Sequence, residues 1–180
     1  MKKIMIVDDN YLSAEGIEKN IDWETLNAEI IHVCYNGTSA IEAMKKEPAD
    51  LIISDIEMPD LDGISMSRQA LEINPMVKII LISAYDKFEY ARRALLLGAL
   101  DYIEKPLDYA YLIQKVKNAF ALMEREQKNL QLLKQSRPLL TEKFFREITH
   151  LPASEAAYRL KPYLQYLNLE LNYDFYTVVV

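Results

Sequence analysis

Three acidic side chains stand where two short apolar runs end. Asp8 and Asp9 follow the run at 4–7, and Asp55 follows the run at 51–54. If both runs are neighbouring parallel strands, their carboxyl ends share one edge of a sheet, where ligands bind. Three crowded carboxylates repel one another, so a cation must join them or a pKa must rise. Oxygen ligands with room for water suit Mg²⁺, so the sequence predicts a magnesium site there.

A lysine and a hydroxyl are expected at the same edge. Lys105 follows the run at 101–104 and could reach the acids as a mobile positive charge. Pro106 comes next, and a cis Lys105–Pro106 bond would be one way to aim the lysine. Ser83 follows the run at 78–82. A carboxylate nucleophile, a divalent ion and a charge-neutralising cation are the equipment of phosphoryl transfer.

The elements that must position these residues alternate along the first 120 residues. Five apolar runs separated by segments of helical spacing predict an α/β fold with a parallel sheet covered on both faces. Right-handed crossovers favour a doubly wound sheet, for which the flavodoxin-like order 2-1-3-4-5 is one common solution. The predicted strands are 4–7, 30–34, 51–54, 78–82 and 101–104. The apolar positions assigned to the helices are Leu12, Ile17, Ile21, Ile41, Met44, Ile64, Met66, Leu71, the stretch 88–97 closed by Gly98, Leu112, Ile113, Val116 and Phe120.

The predicted organisation is a first domain at 1–122, a helical linker at 123–137 and the start of a second domain at 138–180. Strong helix formers after Phe120 predict that the fifth helix continues to about Gln135, and Pro138 is expected to end the linker. An incomplete heptad pattern leaves a coiled coil and a solvated linker helix equally open. The second domain should begin with short helices capped by Thr141 and Ser154. Because a domain seldom ends on an exposed apolar strand such as FYTVVV, we expect it to be cut off.

Composition excludes several classes of function. The net charge of −6 divides into −7 for residues 1–120 and +1 for residues 121–180, so neither part carries the basic face that binds a phosphate backbone. A single cysteine, Cys34, excludes an internal disulfide. The apolar run at the N-terminus is too short for a signal peptide or membrane span, which favours the cytoplasm and no membrane partner. A glycine-rich nucleotide-binding loop is also missing.

Four segments taken together resemble a known family. IMIVDDN, LIISDIEMPDLDG, SAYDKFEYA and LGALDYIEKP are similar to the receiver domain of two-component response regulators, across roughly residues 2–122. The resemblance implies that Asp55 accepts a phosphoryl group. It further implies Asp9 as a direct Mg²⁺ ligand assisted by Asp8, the Glu57 backbone carbonyl as another ligand, Ser83 and Lys105 as binders of phosphoryl oxygens, and Tyr102 as the aromatic switch.

The resemblance also suggests a subtype. IDWETL at 21–26 and the stretch from Ser83 to Pro106 are similar to receivers of regulators that end in an AraC-type helix-turn-helix domain. That likeness implies a sensor histidine kinase as partner and transcriptional control as output. DNA would be bound only through a C-terminal domain missing from this chain, and a homodimer could form through the face of the fourth and fifth helices or through the linker. Such a protein is a switch with self-phosphorylation and self-dephosphorylation chemistry, not an enzyme.

Two other functions compete with this interpretation. An Mg²⁺-dependent phosphohydrolase resembling the haloacid dehalogenase class would place its two acids two residues apart after the first strand, whereas Asp8 and Asp9 are adjacent. A receiver-like module that only binds protein would lack a phosphoacceptor, magnesium ligand or lysine, and none is missing. Taken alone, Ser83 and Tyr102 could equally be structural, and Asp8, Asp9 or Asn10 could cap the first helix.

Overall fold

The computed structural model describes residues 1–84 and 88–148. It contains a five-stranded, all-parallel sheet in the order β2-β1-β3-β4-β5, which confirms the predicted topology. The strands match the predicted apolar runs, with ends extended by up to two residues. Their bounds are β1 Lys2–Val7, β2 Ala28–Cys34, β3 Leu51–Asp55, β4 Lys78–Ser83 and β5 Asp101–Glu104.

Helices connect the strands, and local capping explains where several of them begin. Asn10, Asn36, Asp62 and Asp108 each accept hydrogen bonds from backbone N–H groups of the following first turn. Asn10, rather than Asp8 or Asp9, is therefore the cap of the first helix. The helices are α1 Tyr11–Asn20, α2 Gly37–Lys46, α3 Gly63–Ile73, α4 Phe88–Leu97 and α5 Tyr109–Ile148. Gly98 follows α4 with a φ of +83°, as expected for a helix-ending glycine.

Alternating residues of the strands bury two opposite faces of the sheet. Met5, Ile52 and Leu81 belong to one fully buried cluster with apolar residues of α2 and α3. On α1, by contrast, Leu12 lies within the helix as predicted but remains 74% exposed. The buried residues of that helix are Ala14 and Ile17.

The last helix is longer than predicted. It runs without interruption to Ile148, so the expected end near Gln135 was wrong and Thr141 is an interior residue rather than a cap. Pro138 removes one backbone hydrogen bond, but strong helix formers on both sides keep the chain helical. The chain divides into two compact units, Met1–Leu122 and Met123–Val180. The predicted Ser154 cap and final strand lie outside the described residues, and the second domain stays a prediction.

No helix within residues 1–84 and 88–148 combines the length and hydropathy needed to cross a membrane.

Candidate functional site

The three predicted acids meet at the carboxyl edge of the sheet. Carboxylate oxygens of Asp8, Asp9 and Asp55 lie within 4.8 Å of one another. Asp8 and Asp55 are buried, whereas Asp9 is exposed. Oxygen donors of this kind, with one member open to water, suit a hard divalent cation. The structure therefore brings together the acidic pocket that the sequence predicted.

Backbone hydrogen bonds between neighbouring strands fix the positions of these residues. The Asp8 N–H donates to the carbonyl of Cys34 at 3.1 Å, which ties the end of β1 to β2. The N–H of Ile56, next to Asp55, donates to the carbonyl of Ile82 at 2.9 Å. Asp8 and Asp55 are thus held in place by the hydrogen-bond ladder of the sheet.

Lys105 reaches into the pocket from the end of β5. Its Nζ lies 3.0 Å from Oδ2 of Asp8 and 3.0 Å from Oδ2 of Asp55. Burial acts to lower the pKa of Lys105, but hydrogen bonds to Asp55 and Asp8 outweigh it and leave that pKa raised. The Lys105–Pro106 peptide bond is cis, as the sequence suggested. One lysine therefore bridges two buried carboxylates as a permanent cation.

Asp55 is held in a partly desolvated environment. Its Oδ1 accepts a hydrogen bond from the N–H of Ile56 at 2.8 Å. Burial raises the pKa of Asp55 above its ordinary value, while Lys105 lowers it and the nearby charge of Asp8 raises it further. A cation added to the pocket would favour the ionised carboxylate, which is the form that can act as a nucleophile.

Gly63 is a site residue that sequence reasoning missed. It is the first residue of α3 and follows Asp62, which is the N-cap of that helix. However, a Cβ at position 63 would lie 2.0 Å from the backbone carbonyl oxygen of Asp55. The Gly63 N–H also donates to the carbonyl of Ile56 at 2.9 Å. Only glycine allows this close approach, which pins the turn that follows Asp55.

The remaining predicted residues differ in burial and in their contacts. Ser83 is fully buried at the end of β4, and its carbonyl accepts a hydrogen bond from the N–H of Lys105 at 2.8 Å. Tyr102 is half-buried and packs against the core. Glu57 is half-buried, and its Oε1 accepts a hydrogen bond from the hydroxyl of Tyr90 at 3.1 Å. The Tyr90 contact had no signal in the sequence, since 33 residues separate the two.

A cavity of about 340 Å³ adjoins the acidic pocket between the start of α1 and the start of α5. Both polar and apolar side chains line the cavity, and the exposed Leu12 is one of the apolar ones. Its lining comprises Asp8, Asn10, Leu12, Ser13, Ile17, Ile82, Lys105, Pro106, Leu107 and Tyr109. The acidic pocket is therefore accessible from a concave surface and not sealed in the core.

Comparisons with known proteins agree with this geometry. Relatives include the transcriptional regulatory protein YesN of Bacillus subtilis, 30% identical over 126 residues, and HptR of Staphylococcus aureus, 30% identical over 112 residues. The alignments cover 70% and 62% of this chain but only 34% and 44% of those proteins. The chain thus spans less than half the length of these relatives.

Solved receiver structures share the fold. The receiver domain of the response regulator AraT from Geobacillus stearothermophilus is 34% identical, with a TM-score of 0.66 over 70% of this chain and 98% of that one. An AraC two-component regulator from Clostridium phytofermentans is 30% identical, with a TM-score of 0.63 over 72% and 99%. CheY in its CheX–BeF₃–Mg²⁺ complex from Borrelia burgdorferi is 29% identical, with a TM-score of 0.61 over 66% and 89%.

The family described as "Response regulator receiver domain" matches residues 4–117, which is more than half of the chain. This match includes all five strands, apart from the first two residues of β1, and every residue of the acidic pocket. The chain therefore belongs to the response regulator receiver domain family.

Proposed function

We propose that this chain is the receiver part of a phosphorylation-activated transcriptional regulator, and that Asp55 accepts the phosphoryl group. The observation that carries the proposal is the arrangement of one lysine, Lys105, at 3.0 Å from the carboxylates of both Asp8 and Asp55. A single cation cannot neutralise three acids, so the pocket is built to receive a further positive charge. A sensor histidine kinase supplies the phosphoryl group.

Mg²⁺ fits the donor set of the pocket. Asp9 and Asp55 would hold the ion directly with the Glu57 backbone carbonyl, and Asp8 would assist. When bound, Mg²⁺ supplies positive charge that stabilises the oxygens of the transferred phosphoryl group. The Borrelia CheY structure contains Mg²⁺ and BeF₃ according to its description, which supports the same assignment here.

The chain's own residues then divide the work of transfer. A carboxylate oxygen of Asp55 forms the new P–O bond as the P–N bond of the kinase phosphohistidine breaks, and the imidazole nitrogen keeps the electron pair of that bond. Lys105 turns from Asp55 toward a phosphoryl oxygen and balances its charge. Ser83 donates its hydroxyl to another phosphoryl oxygen, and Tyr102 follows the movement of Ser83 by turning inward.

The output of this switch is transcription through an AraC-type DNA-binding domain. AraC-type and other transcriptional regulators among the relatives support that assignment. The face formed by α4, β5 and α5, or the C-terminal half of α5, would carry the signal through a homodimer. A cytoplasmic location suits a kinase partner and the unpaired, buried thiol of Cys34.

The experiment is phosphorylation of the purified chain by a small-molecule phosphodonor with MgCl₂, followed by intact-mass measurement. We expect one phosphoryl group per chain. The group should be absent when EDTA is added before the donor, and absent in Asp55→Asn. Asp60→Asn is a matched control, because Asp60 is an exposed acid in the same turn. Labelling that persists in Asp55→Asn would reject Asp55 as the acceptor.

The same sample distinguishes the switch from a phosphohydrolase. A switch incorporates one phosphoryl group and loses it by slow self-dephosphorylation. Sustained turnover of a phosphomonoester would instead identify an enzyme and overturn the proposal.

A further inference from the structure

The contact between Glu57 and Tyr90 joins two elements that are far apart in the chain. Glu57 lies in the turn after β3, two residues beyond Asp55, and Tyr90 lies in the first turn of α4. The Tyr90 hydroxyl donates to Oε1 of Glu57 at 3.1 Å. Both side chains are half-buried, and Tyr90 also packs against the main apolar cluster. A hydrogen bond to a charged acceptor in such a place is stronger than one at an open surface.

This contact also determines where the Glu57 charge points. Among the described residues, the group of carboxylates within 4.8 Å of one another consists of Asp8, Asp9 and Asp55, and Glu57 does not join it. Its carboxylate is directed to α4 instead. The turn itself is anchored elsewhere by Gly63, whose N–H bonds the Ile56 carbonyl at 2.9 Å. The turn is thus held at Ile56 by Gly63 and at Glu57 by Tyr90.

We propose that Tyr90 is a positioning residue for the ion site: by holding the Glu57 side chain, it fixes the backbone carbonyl of residue 57 and couples the ion affinity of the pocket to the position of α4. The inference rests on the proposed function, in which that carbonyl binds Mg²⁺. Residues that orient a metal ligand from outside the coordination sphere strongly affect metal affinity. Coupling of this kind is reciprocal, so a partner that shifts α4 changes Mg²⁺ binding and Mg²⁺ changes binding of that partner.

The first measurement is calorimetric titration of the 180-residue chain with MgCl₂ alone. Tyr90→Phe removes only the hydroxyl and should weaken Mg²⁺ binding by about threefold to tenfold, because the loop carbonyl loses its fixed orientation. Tyr111→Phe is the matched control and should bind Mg²⁺ as the wild type does. Tyr111 lies in α5, and its ring is in contact with Lys115.

A double-mutant cycle separates positioning from general loss of stability. Glu57→Ala should weaken Mg²⁺ binding, and adding Tyr90→Phe to it should change the affinity no further, because the bond is already gone. An equal Tyr90→Phe effect in both backgrounds would overturn the inference. So would unchanged or tighter Mg²⁺ binding in the single variant Tyr90→Phe.

A second measurement requires no metal. Hydrogen exchange of the metal-free chain should show faster exchange of the backbone amides at 56–61 in Tyr90→Phe, with β1 and β3 unchanged. Unchanged exchange in that turn would reject the tie. If the wild-type chain bound no Mg²⁺, the proposed function would fail and the positioning role would fail with it. If the wild type bound Mg²⁺ and Tyr90→Phe bound it equally well, only the positioning role would fail, so the two failures are distinguishable.

Discussion

The two edges of the central sheet use the same kinds of residue in opposite ways. At the amino edge, the Lys3 ammonium pairs with Glu47 at 2.7 Å, and the Lys3 N–H donates to the Asp50 carboxylate at 2.9 Å. At the carboxyl edge, one lysine faces three carboxylates, two of which are buried. The amino edge satisfies each acid with its own partner near water. The carboxyl edge leaves acidic charge in excess where burial makes the excess costly.

The pKa shifts at the two edges have opposite signs. The hydrogen bond from Lys3 lowers the pKa of Glu47, because the positive partner favours the charged form of the carboxylate. Burial raises the pKa of Asp55 although Lys105 opposes it. In a structural ion pair, the partner stabilises the charged form of the acid within the folded protein. In a binding site, the excess acidic charge is neutralised only when a ligand binds. Uncompensated acids, more than acids as such, therefore mark the functional edge.

The largest expected difference comes from removing the lysine at each edge. Lys105→Met should abolish most phosphoryl uptake and destabilise the metal-free fold by about 2 kcal/mol, because Asp8 and Asp55 then face each other without a cation. Lys3→Met should leave phosphoryl uptake unchanged. Intact-mass measurement and chemical denaturation check both variants. Equal losses of phosphoryl uptake in the two variants would mean that the edges do not differ as described.

Two glycines separate the effect of a close contact beside the pocket from the effect of backbone conformation elsewhere. Gly63→Ala places a methyl group against the Asp55 carbonyl, so we expect a loss of about 1–3 kcal/mol and slower phosphoryl uptake. Gly98→Ala should cost about 1–2 kcal/mol through its positive φ alone, since no atom of the described residues lies within 4 Å of the added carbon. Phosphoryl uptake should survive in Gly98→Ala. Normal uptake in Gly63→Ala would contradict the importance of its close approach to Asp55.

Mg²⁺ should stabilise the fold by binding at the carboxyl edge only. At a concentration one hundred times its dissociation constant, the ion should add about 2.7 kcal/mol to the stability of the wild-type fold. Asp9→Asn should reduce this stabilisation. Glu47→Gln is the matched control and should retain it. Without metal, Asp9→Asn should be more stable than the wild type, because one of three repelling charges is gone. Thermal unfolding with and without MgCl₂ gives both answers, and an undiminished response in Asp9→Asn would exclude it as a ligand.

The smallest effect concerns pH at the amino edge. The pKa of Glu47 is lower in the folded state, so its pairing with Lys3 stabilises the fold above the ordinary carboxyl value and is lost as pH falls through the lowered value. Glu47→Gln should therefore be slightly less stable than the wild type near pH 7 and equal to it in strong acid. Melting temperatures across this range check the sign. A difference that grew toward low pH would show that the pair does not stabilise the fold.

Local pattern was sufficient for the framework of the molecule. Apolar runs of strand length and helical spacing predicted five strands, their order and the edge on which Asp8, Asp9 and Asp55 meet, because parallel strands must present their carboxyl ends together. The same pattern failed at the end of α5. A proline ends a helix only when its neighbours do not sustain the helical conformation.

Other features depended on tertiary packing. The sequence alone determined which chemical groups stand at the end of each strand, since backbone alternation and strand length are local properties. Only the folded chain decided that Lys105 bridges two carboxylates, that Gly63 must have no side chain beside Asp55, and that Tyr90 binds Glu57. Each of these depends on distances of a few ångströms between segments far apart in the chain. Such distances are set by how helices pack on the sheet, which no local pattern records.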